Sequence, residues 1–213
     1  MDLASLRNEY MRASLDAADV DPDPFRQFAA WLDAAVVARV PEPNAMTLAT
    51  VGADGKPSSR IVLLRDVDAG GLTFYTNFRS RKGRELDAHP HAAIVFFWPE
   101  LERQVRIEGT AARADAARAD AYFSQRPRTS RLGAWASPQS EPIPDRAWLD
   151  RAWDGASQRF ATAGDDVPRP PHWGGYTLAP VAFEFWQGRR SRLHDRIVYR
   201  RAGDAWTIGR LAP

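Results

Sequence analysis

Three clusters of cations, hydroxyls and amides stand at the ends of apolar runs, and their types suit the capture of anions rather than attack on a carbonyl. Arg60 and Arg65 bracket Ile61-Val62-Leu63-Leu64. They face opposite sides of an ideal strand, a relation that a bulge would change. Tyr75-Thr76-Asn77 closes the next run, and Arg79-Ser80-Arg81-Lys82 opens a helical stretch. Unpaired backbone N–H groups and two cations there make a seat for phosphate. The segment from Tyr122 to Ser140 combines a phenol, the guanidinium groups of Arg126, Arg128 and Arg131, the hydroxyl of Ser130 and the amide of Gln139. Such groups can enclose a second phosphate. The third cluster runs from Glu184-Phe185-Trp186-Gln187-Gly188 to Arg192-Leu193-His194-Asp195-Arg196, where polar side chains at i and i+2 point to one face of a strand. Trp186 taken alone would read as core.

A lone arginine means little in this chain. Of 29 basic residues only Lys56 and Lys82 are lysines, which leaves 29 − 2 = 27 arginines as the background cation. The joint pattern carries the weight instead. Other chemistries lack their parts. There is no cysteine, so thiolate nucleophiles, thiolate zinc sites and disulfides are excluded. His89 and His91 flank a proline, the other two histidines stand far off, and no metal is expected. The stretch from Gly52 to Ser58 lacks the glycine spacing and following helix of a phosphate loop, and reads as a hairpin turn. Neither G-x-G-x-x-G nor G-x-S-x-G occurs, so the dinucleotide and serine-hydrolase readings lose their defining turns.

Composition bounds the rest. The 213 residues carry 29 basic and 27 acidic side chains, a net charge of +2 that does not indicate nucleic acid. The longest apolar run, Ala92 to Trp98, falls far short of the roughly 20 residues a membrane helix needs. The first thirty residues are acidic and without an apolar core segment, so no secretory signal is read and a cytoplasmic protein is expected.

The elements that must position these clusters follow from periodicity and punctuation. Residues 1–20 lack a sustained pattern and are expected to lie as a mobile arm, with 21–213 as a single domain. Asp23 as N-cap and Pro24 at the first helical position start a helix that Pro41 and Pro43 end. Short β-rich runs follow at Met46–Val51, Ser59–Leu64, Leu72–Thr76, Ala92–Trp98 and Arg103–Ala111, separated by hairpin-type turns. Helical stretches are read at Arg81–Ala88, Ala114–Ser124 and Asp145–Thr162, and residues 125–145 as a long ordered loop. Strands at Tyr176–Trp186, Leu193–Arg200 and Ala205–Ile208 complete the chain. The expected class is α+β, mainly antiparallel β, as a barrel or strongly curled sheet with flanking helices.

An ordered set of motifs carries a resemblance. Arg60-Ile-Val-Leu-Leu-Arg65, Phe74-Tyr-Thr-Asn77, Ser80-Arg-Lys82, Glu102-Arg-Gln-Val105, Arg126-Pro-Arg-x-Ser130, Gly133-Ala-Trp135, Gln139-Ser140, Trp173-Gly-Gly175, Phe185-Trp-Gln-Gly188, Arg192-Leu-His-Asp-Arg196 and the terminal Arg210-Leu-Ala-Pro213 together resemble the pyridoxamine 5′-phosphate oxidase family. The resemblance implies an FMN-binding split β-barrel, a homodimer with FMN at its interface, and oxidation of pyridoxine or pyridoxamine 5′-phosphate to pyridoxal 5′-phosphate. Oxygen would be the acceptor and hydrogen peroxide the by-product, with ammonia released from the amine. By the same resemblance Arg60, Arg81 and Lys82 would bind the FMN phosphate. Tyr75, Thr76, Gln104, Gln139, Ser140, Trp186 and Arg196 would surround the rest of the cofactor, and the backbone from Ile61 through Val62 and Leu63 to Leu64 and Arg65 would line the flavin.

The substrate phosphate would fall to Arg65, Tyr122, Arg126 and Ser130. Arg192 and His194, as catalytic residues, and the intervening Leu193 would meet the substrate ring, and Arg7, Asn8, Glu9 and Tyr10 would fold over it as a lid. The absence of a conspicuous nucleophile fits, because a flavin carries the redox chemistry itself and leaves the protein to bind and orient. One position departs from the pattern: the family usually has lysine where this chain has Arg65, and the two cations bind phosphate with different geometry. Relatives of the phenazine pathway share the barrel and would differ at the substrate set.

Overall fold

The computed structural model describes residues 9–213. Helix α1 (Pro24–Val37) starts where expected: the Asp23 carboxylate accepts the Phe25 N–H at 2.9 Å, and Pro24 needs no N–H partner. It ends several residues before the prolines read as its stop. Its buried face, Phe28, Trp31 and Ala35, packs onto the sheet, with Phe28 5.0 Å from Phe96 and Trp31 edge-on to Phe185 at 5.2 Å.

Among the described residues nine strands form one sheet: β1 (Ala45–Val51), β2 (Pro57–Leu63), β3 (Asp66–Asp68), β4 (Gly71–Asn77), β5 (His91–Trp98), β6 (Arg103–Arg113), β7 (Trp173–Gln187), β8 (Asp195–Ala202) and β9 (Ala205–Arg210). The order is β2-β1-β5-β6-β7-β4-β3, with β8 also on β7 and β9 on β8, and every pairing is antiparallel. The long strand β7 organises the molecule. Its first half pairs with β4 and its second half with β8, while β6 runs along its other edge. The register between β6 and β7 slips at Glu108/Gly109, where Val181 is left unopposed. A side chain at Gly109 would sit 2.3 Å from the Ala179 carbonyl oxygen, so only glycine lets the strands approach at this bend. The bulge curls the sheet into a split barrel.

Alternation decides what each strand presents. Along β1, Met46 and Leu48 enter the core while Thr50, next in the same row, is buried against helix α2 (Arg81–Ala88). The remaining helices are α3 (Ala116–Ser124), α4 (Arg128–Ala136) and α5 (Arg146–Arg159). Residues 125–145 are therefore not the continuous loop read from composition, because α4 occupies their middle. Its Leu132 is fully buried with Phe160 and Val167 in a small second cluster. Among the described residues no helix is long and apolar enough to cross a membrane.

Candidate active site

The ends of β2 and β4, helices α3 and α4 and the start of β7 enclose a cavity of about 450 Å³. Of the residues proposed for the cofactor, Ile61, Val62, Leu63, Arg65, Tyr75, Thr76, Lys82 and Gln139 line it, and of those proposed for the substrate, Arg65, Tyr122, Arg126 and Ser130. Leu64 lies behind the wall, buried, its N–H held by the Asn44 carbonyl. Ser140 follows Gln139 in a left-handed turn, φ 72°. Arg65 stands beyond the end of β2, its N–H bonded to the Thr73 carbonyl, so its side chain is not bound to the alternation that governs Arg60.

At one end of the cavity the Ser80 side chain caps α2 by accepting the Gly83 N–H, and the chain turns so that Lys82 points inward. Lys82 is 8% exposed. Its Nζ donates to Thr76 Oγ1 at 3.2 Å and to Gln139 Oε1 at 3.3 Å, both neutral oxygens. Burial and the neighbouring charge of Arg60 draw its pKa down to about 8, against a weaker opposing pull from Glu85. A buried ammonium with neutral partners is a fitting seat for a phosphate.

Arg60 and Arg81, also proposed for the cofactor phosphate, do not line the cavity; both converge on Glu85. Its Oε2 accepts from Thr50 at 2.5 Å, Ser58 at 2.7 Å and Arg60 at 3.1 Å, and its Oε1 from Arg81 Nε at 2.8 Å. Burial alone would raise the Glu85 carboxyl; hydrogen bonds from Thr50, Ser58, Arg81 and Arg60 outweigh it and hold the pKa at about 2. Both terminal nitrogens of Arg60 are occupied by protein, Nη2 by Ser58 and Glu85 and Nη1 by Thr50 and the Leu48 carbonyl. Arg81 uses only Nε and keeps both terminal nitrogens free of protein bonds among the described residues. Glu85 escaped the sequence reading, although its position four residues after Arg81 is the signal that could have found it.

At the other end, Arg126 Nη1 is buried with no hydrogen-bond partner among the described residues. The guanidinium lies 4.7 Å over the Trp173 ring and 5.5 Å over Phe123. Burial pulls its pKa down, a pull that Tyr122 opposes and Arg65 reinforces. An orphaned cationic donor beside a second arginine, a phenol and a serine calls for an anion. A larger hollow, about 830 Å³, adjoins the cavity and shares Asn77, Ser137 and Gln139 with it. Two of its cations are paired, Arg84 with Glu141 at 2.5 Å and Arg113 with Asp87 at 2.6 Å, and the buried donor without a partner, Arg126 Nη1, belongs to the smaller cavity.

The remaining residues form a separate cluster. Gln104 pairs with Trp186 across β6 and β7, and Trp186 with Arg196 across β7 and β8. The His194 ring lies 4.7 Å from Trp186, and Tyr10 packs edge-on to both, at 5.6 Å from Trp186 and 5.8 Å from His194. His194 Nδ1 accepts the Arg189 N–H, which leaves the proton of the neutral ring on Nε2. Burial, helped by the Arg192 charge, lowers its pKa, so that neutral form prevails at pH 7. Arg196 is held by Glu184 at 2.9 Å. Arg192, at φ 60°, and Leu193 project into solvent.

The arm reaches this cluster too. Glu102 accepts the N–H groups of Met11 and Arg12 at 2.8 and 3.0 Å, and Asp195 that of Leu15 at 3.0 Å. A side chain on Gly188 would meet Tyr10 at 2.7 Å. Glu9 is exposed, and Arg7 and Asn8 lie outside the described residues. None of this cluster lines the cavity. Tyr75 pairs with Gly175 and Gln104 with Trp186, so eleven residues of β7 separate the two, roughly 35 Å of strand contour.

Comparison with known proteins identifies the family and the fold. A family model described as pyridoxamine 5′-phosphate oxidase matches residues 32–159, and one described as the pyridoxine 5′-phosphate oxidase C-terminal dimerisation region matches 173–213. The pyridoxine/pyridoxamine 5′-phosphate oxidase of Burkholderia multivorans is 59% identical over 214 residues, covering 99% of each chain. The pyridoxine/pyridoxamine 5′-phosphate oxidase 1 of Ralstonia nicotianae is 58% identical over 212 residues, again with 99% of each covered. Among solved structures, PhzG from Burkholderia lata 383, crystallised with tetrahydrophenazine-1-carboxylic acid, superposes with a TM-score of 0.86 at 34% identity, covering 94% of this chain and all of that one. An FMN-binding protein from Nostoc punctiforme shares the fold, with a TM-score of 0.70 at 20% identity over 91% of this chain and all of that one.

Proposed function

The chain belongs to the pyridoxamine 5′-phosphate oxidase family, and from that premise we propose that it oxidises pyridoxine or pyridoxamine 5′-phosphate to pyridoxal 5′-phosphate with FMN as cofactor and O2 as acceptor. The observation that carries this reading is the orphaned Arg126 Nη1, facing the same cavity as Arg65, Tyr122 and Ser130 and opposite the buried ammonium of Lys82. Two anion seats in one small cavity suit two phosphate esters held against each other.

Lys82, Thr76, Gln139 and Arg81 would hold the FMN phosphate, with Arg60 and Glu85 bracing them, and the backbone of Ile61 to Leu64 would line the ring. When bound, FMN takes up two electrons and a proton from the substrate carbon and delivers the electrons to O2. The alcohol then yields aldehyde and H2O2; the amine, with one water, also yields ammonia. The protein's part is to orient. Arg126, Arg65, Tyr122 and Ser130 bind the ester phosphate. The planar Arg192 guanidinium lies over the pyridine ring and fixes its angle. His194 donates from Nε2 to the ring's polar edge. The arm of residues 1–20, closing over the site, excludes water and so strengthens these contacts.

The second cluster joins the first by dimerisation in this reading. Gln104, Trp186, Arg192, His194 and Arg196 reach the cavity of a second copy, a role supported by the match of residues 173–213 to a dimerisation region. The same reading places the homodimer in the cytoplasm. A phenazine-type substrate is the second reading, because the PhzG structure superposes well and its ligand carries a carboxylate in place of a phosphate. One assay separates them. We expect purified protein to show oxidised-flavin absorption that pyridoxamine 5′-phosphate bleaches anaerobically, and to release peroxide in air. Bleaching by tetrahydrophenazine-1-carboxylic acid alone would overturn the vitamin B6 assignment.

A further inference from the structure

The geometry points to Trp173 as the positioning residue for the cation that meets the substrate's anion, a role that rests on the reading of Arg126 as a phosphate ligand. Trp173 is buried at the first position of β7, opposite Asn77 of β4, and its carbonyl is held by Arg169 at 2.6 Å. Its indole is one of three nearly parallel rings. Tyr75 lies 5.3 Å from it at 4° and 4.1 Å from Tyr122 at 10°. The Arg126 guanidinium rests over the indole at 4.7 Å, and that of Arg65 stands 5.8 Å over Tyr122.

This stack solves a physical problem. Two like-charged guanidinium groups in a small cavity repel, and a buried one without a carboxylate is costly. An aromatic face attracts a cation through its quadrupole without supplying a hydrogen-bond acceptor. Trp173 therefore holds the charge of Arg126 in place while leaving Nη1 unsatisfied, so the donor stays available to an incoming anion. A carboxylate at this point would hold Arg126 as well and would cancel its use. Phe123, edge-on to Trp173 at 4.9 Å, fixes the indole from behind.

The test compares FMN-loaded wild type with Trp173→Leu, Trp173→Phe, Arg126→Met and the Trp173→Leu/Arg126→Met pair. Two constants are read: KM for pyridoxine 5′-phosphate by peroxide release, and the dissociation constant of inorganic phosphate from arginine Nε–H NMR shifts. Trp173→Leu should raise both about tenfold with kcat and bound FMN within twofold of wild type, and Trp173→Phe should recover most of the loss. In the Arg126→Met background the Leu substitution should add less than twofold, whereas a merely structural tryptophan would add its full effect there. Trp173→Met replaces the Leu variant if the latter does not fold. Constants unchanged by Trp173→Leu, or a full additional loss in the double variant, would overturn the role. Should the wild type release no peroxide yet bind phosphate in a Trp173-dependent way, the substrate reading fails and the positioning role stands.

Discussion

Single side chains carry the recognition, and their demands can be read from what they lack. Arg126 Nη1 lacks a hydrogen-bond partner among the described residues, so removal of Arg126 should be felt by the substrate and not by the cofactor. Charged hydrogen bonds contribute about 1.5–3 kcal/mol each, so Arg126→Ala should raise KM for pyridoxine 5′-phosphate by about 10- to 150-fold. The FMN dissociation constant, measured by flavin fluorescence, should stay within threefold. Lys82 makes a prediction in pH. Its pKa of about 8 lies below the ordinary 10.5, so between these values the unfolded chain binds a proton that the apo fold does not. Apo-protein stability should therefore rise with pH across that window, while affinity for the FMN phosphate falls as the ammonium is lost above about 8. Thermal melts and flavin titrations from about pH 7 to 10 check both signs, and Lys82→Arg should abolish the inflection. That these residues share a cavity was legible in sequence only from the joint pattern of cations, hydroxyls and amides near strand ends, since single arginines are the background of this chain. The occupancy of Arg60 was not, since its partners Thr50, Ser58 and Glu85 come from three separate elements.

At the scale of elements, legibility followed how local the cause was. Helix α1 and its Asp23 cap, the whole of α2 and most strand positions could be read because alternation, capping and turn residues act within a few positions. Helix α4 could not. Its N-cap is Pro127 with no capping side chain, and its sequence is rich in Arg, Ser, Thr and Gly, so its helicity comes from burying Leu132 against Phe160 and Val167. Helix α2 also ties stability to pH. Glu85 holds its proton off until about 2, against an ordinary 4.5. Its contribution is thus complete above about 4.5 and fades as pH falls toward 2. Melting of the apo-protein between about pH 6 and 3 should show this decline, and Glu85→Gln should flatten it. An unchanged slope in that variant would mean that other carboxylates govern the acid limb.

The molecule as a whole presents a division that no local pattern announces. The cavity sits where β7 meets β4, and the cluster of Gln104, Trp186, His194 and Arg192 sits where β7 meets β8, at the far end of the same strand. In the proposed reading the two clusters form one site across two chains related by a twofold axis. This has a consequence that activity alone can test. Arg126→Ala damages the cavity half and Arg192→Ala the other half, and at substrate well below the wild-type KM each homodimer should keep about a tenth of the activity or less. Mixed by denaturation and refolding, the two variants form heterodimers as about half of all dimers, each with one doubly damaged site and one intact site. About a quarter of wild-type activity should return, with the KM of the wild type, because the restored sites are unmodified. If both halves belonged to one chain, every site in the mixture would still carry a lesion and no activity would reappear.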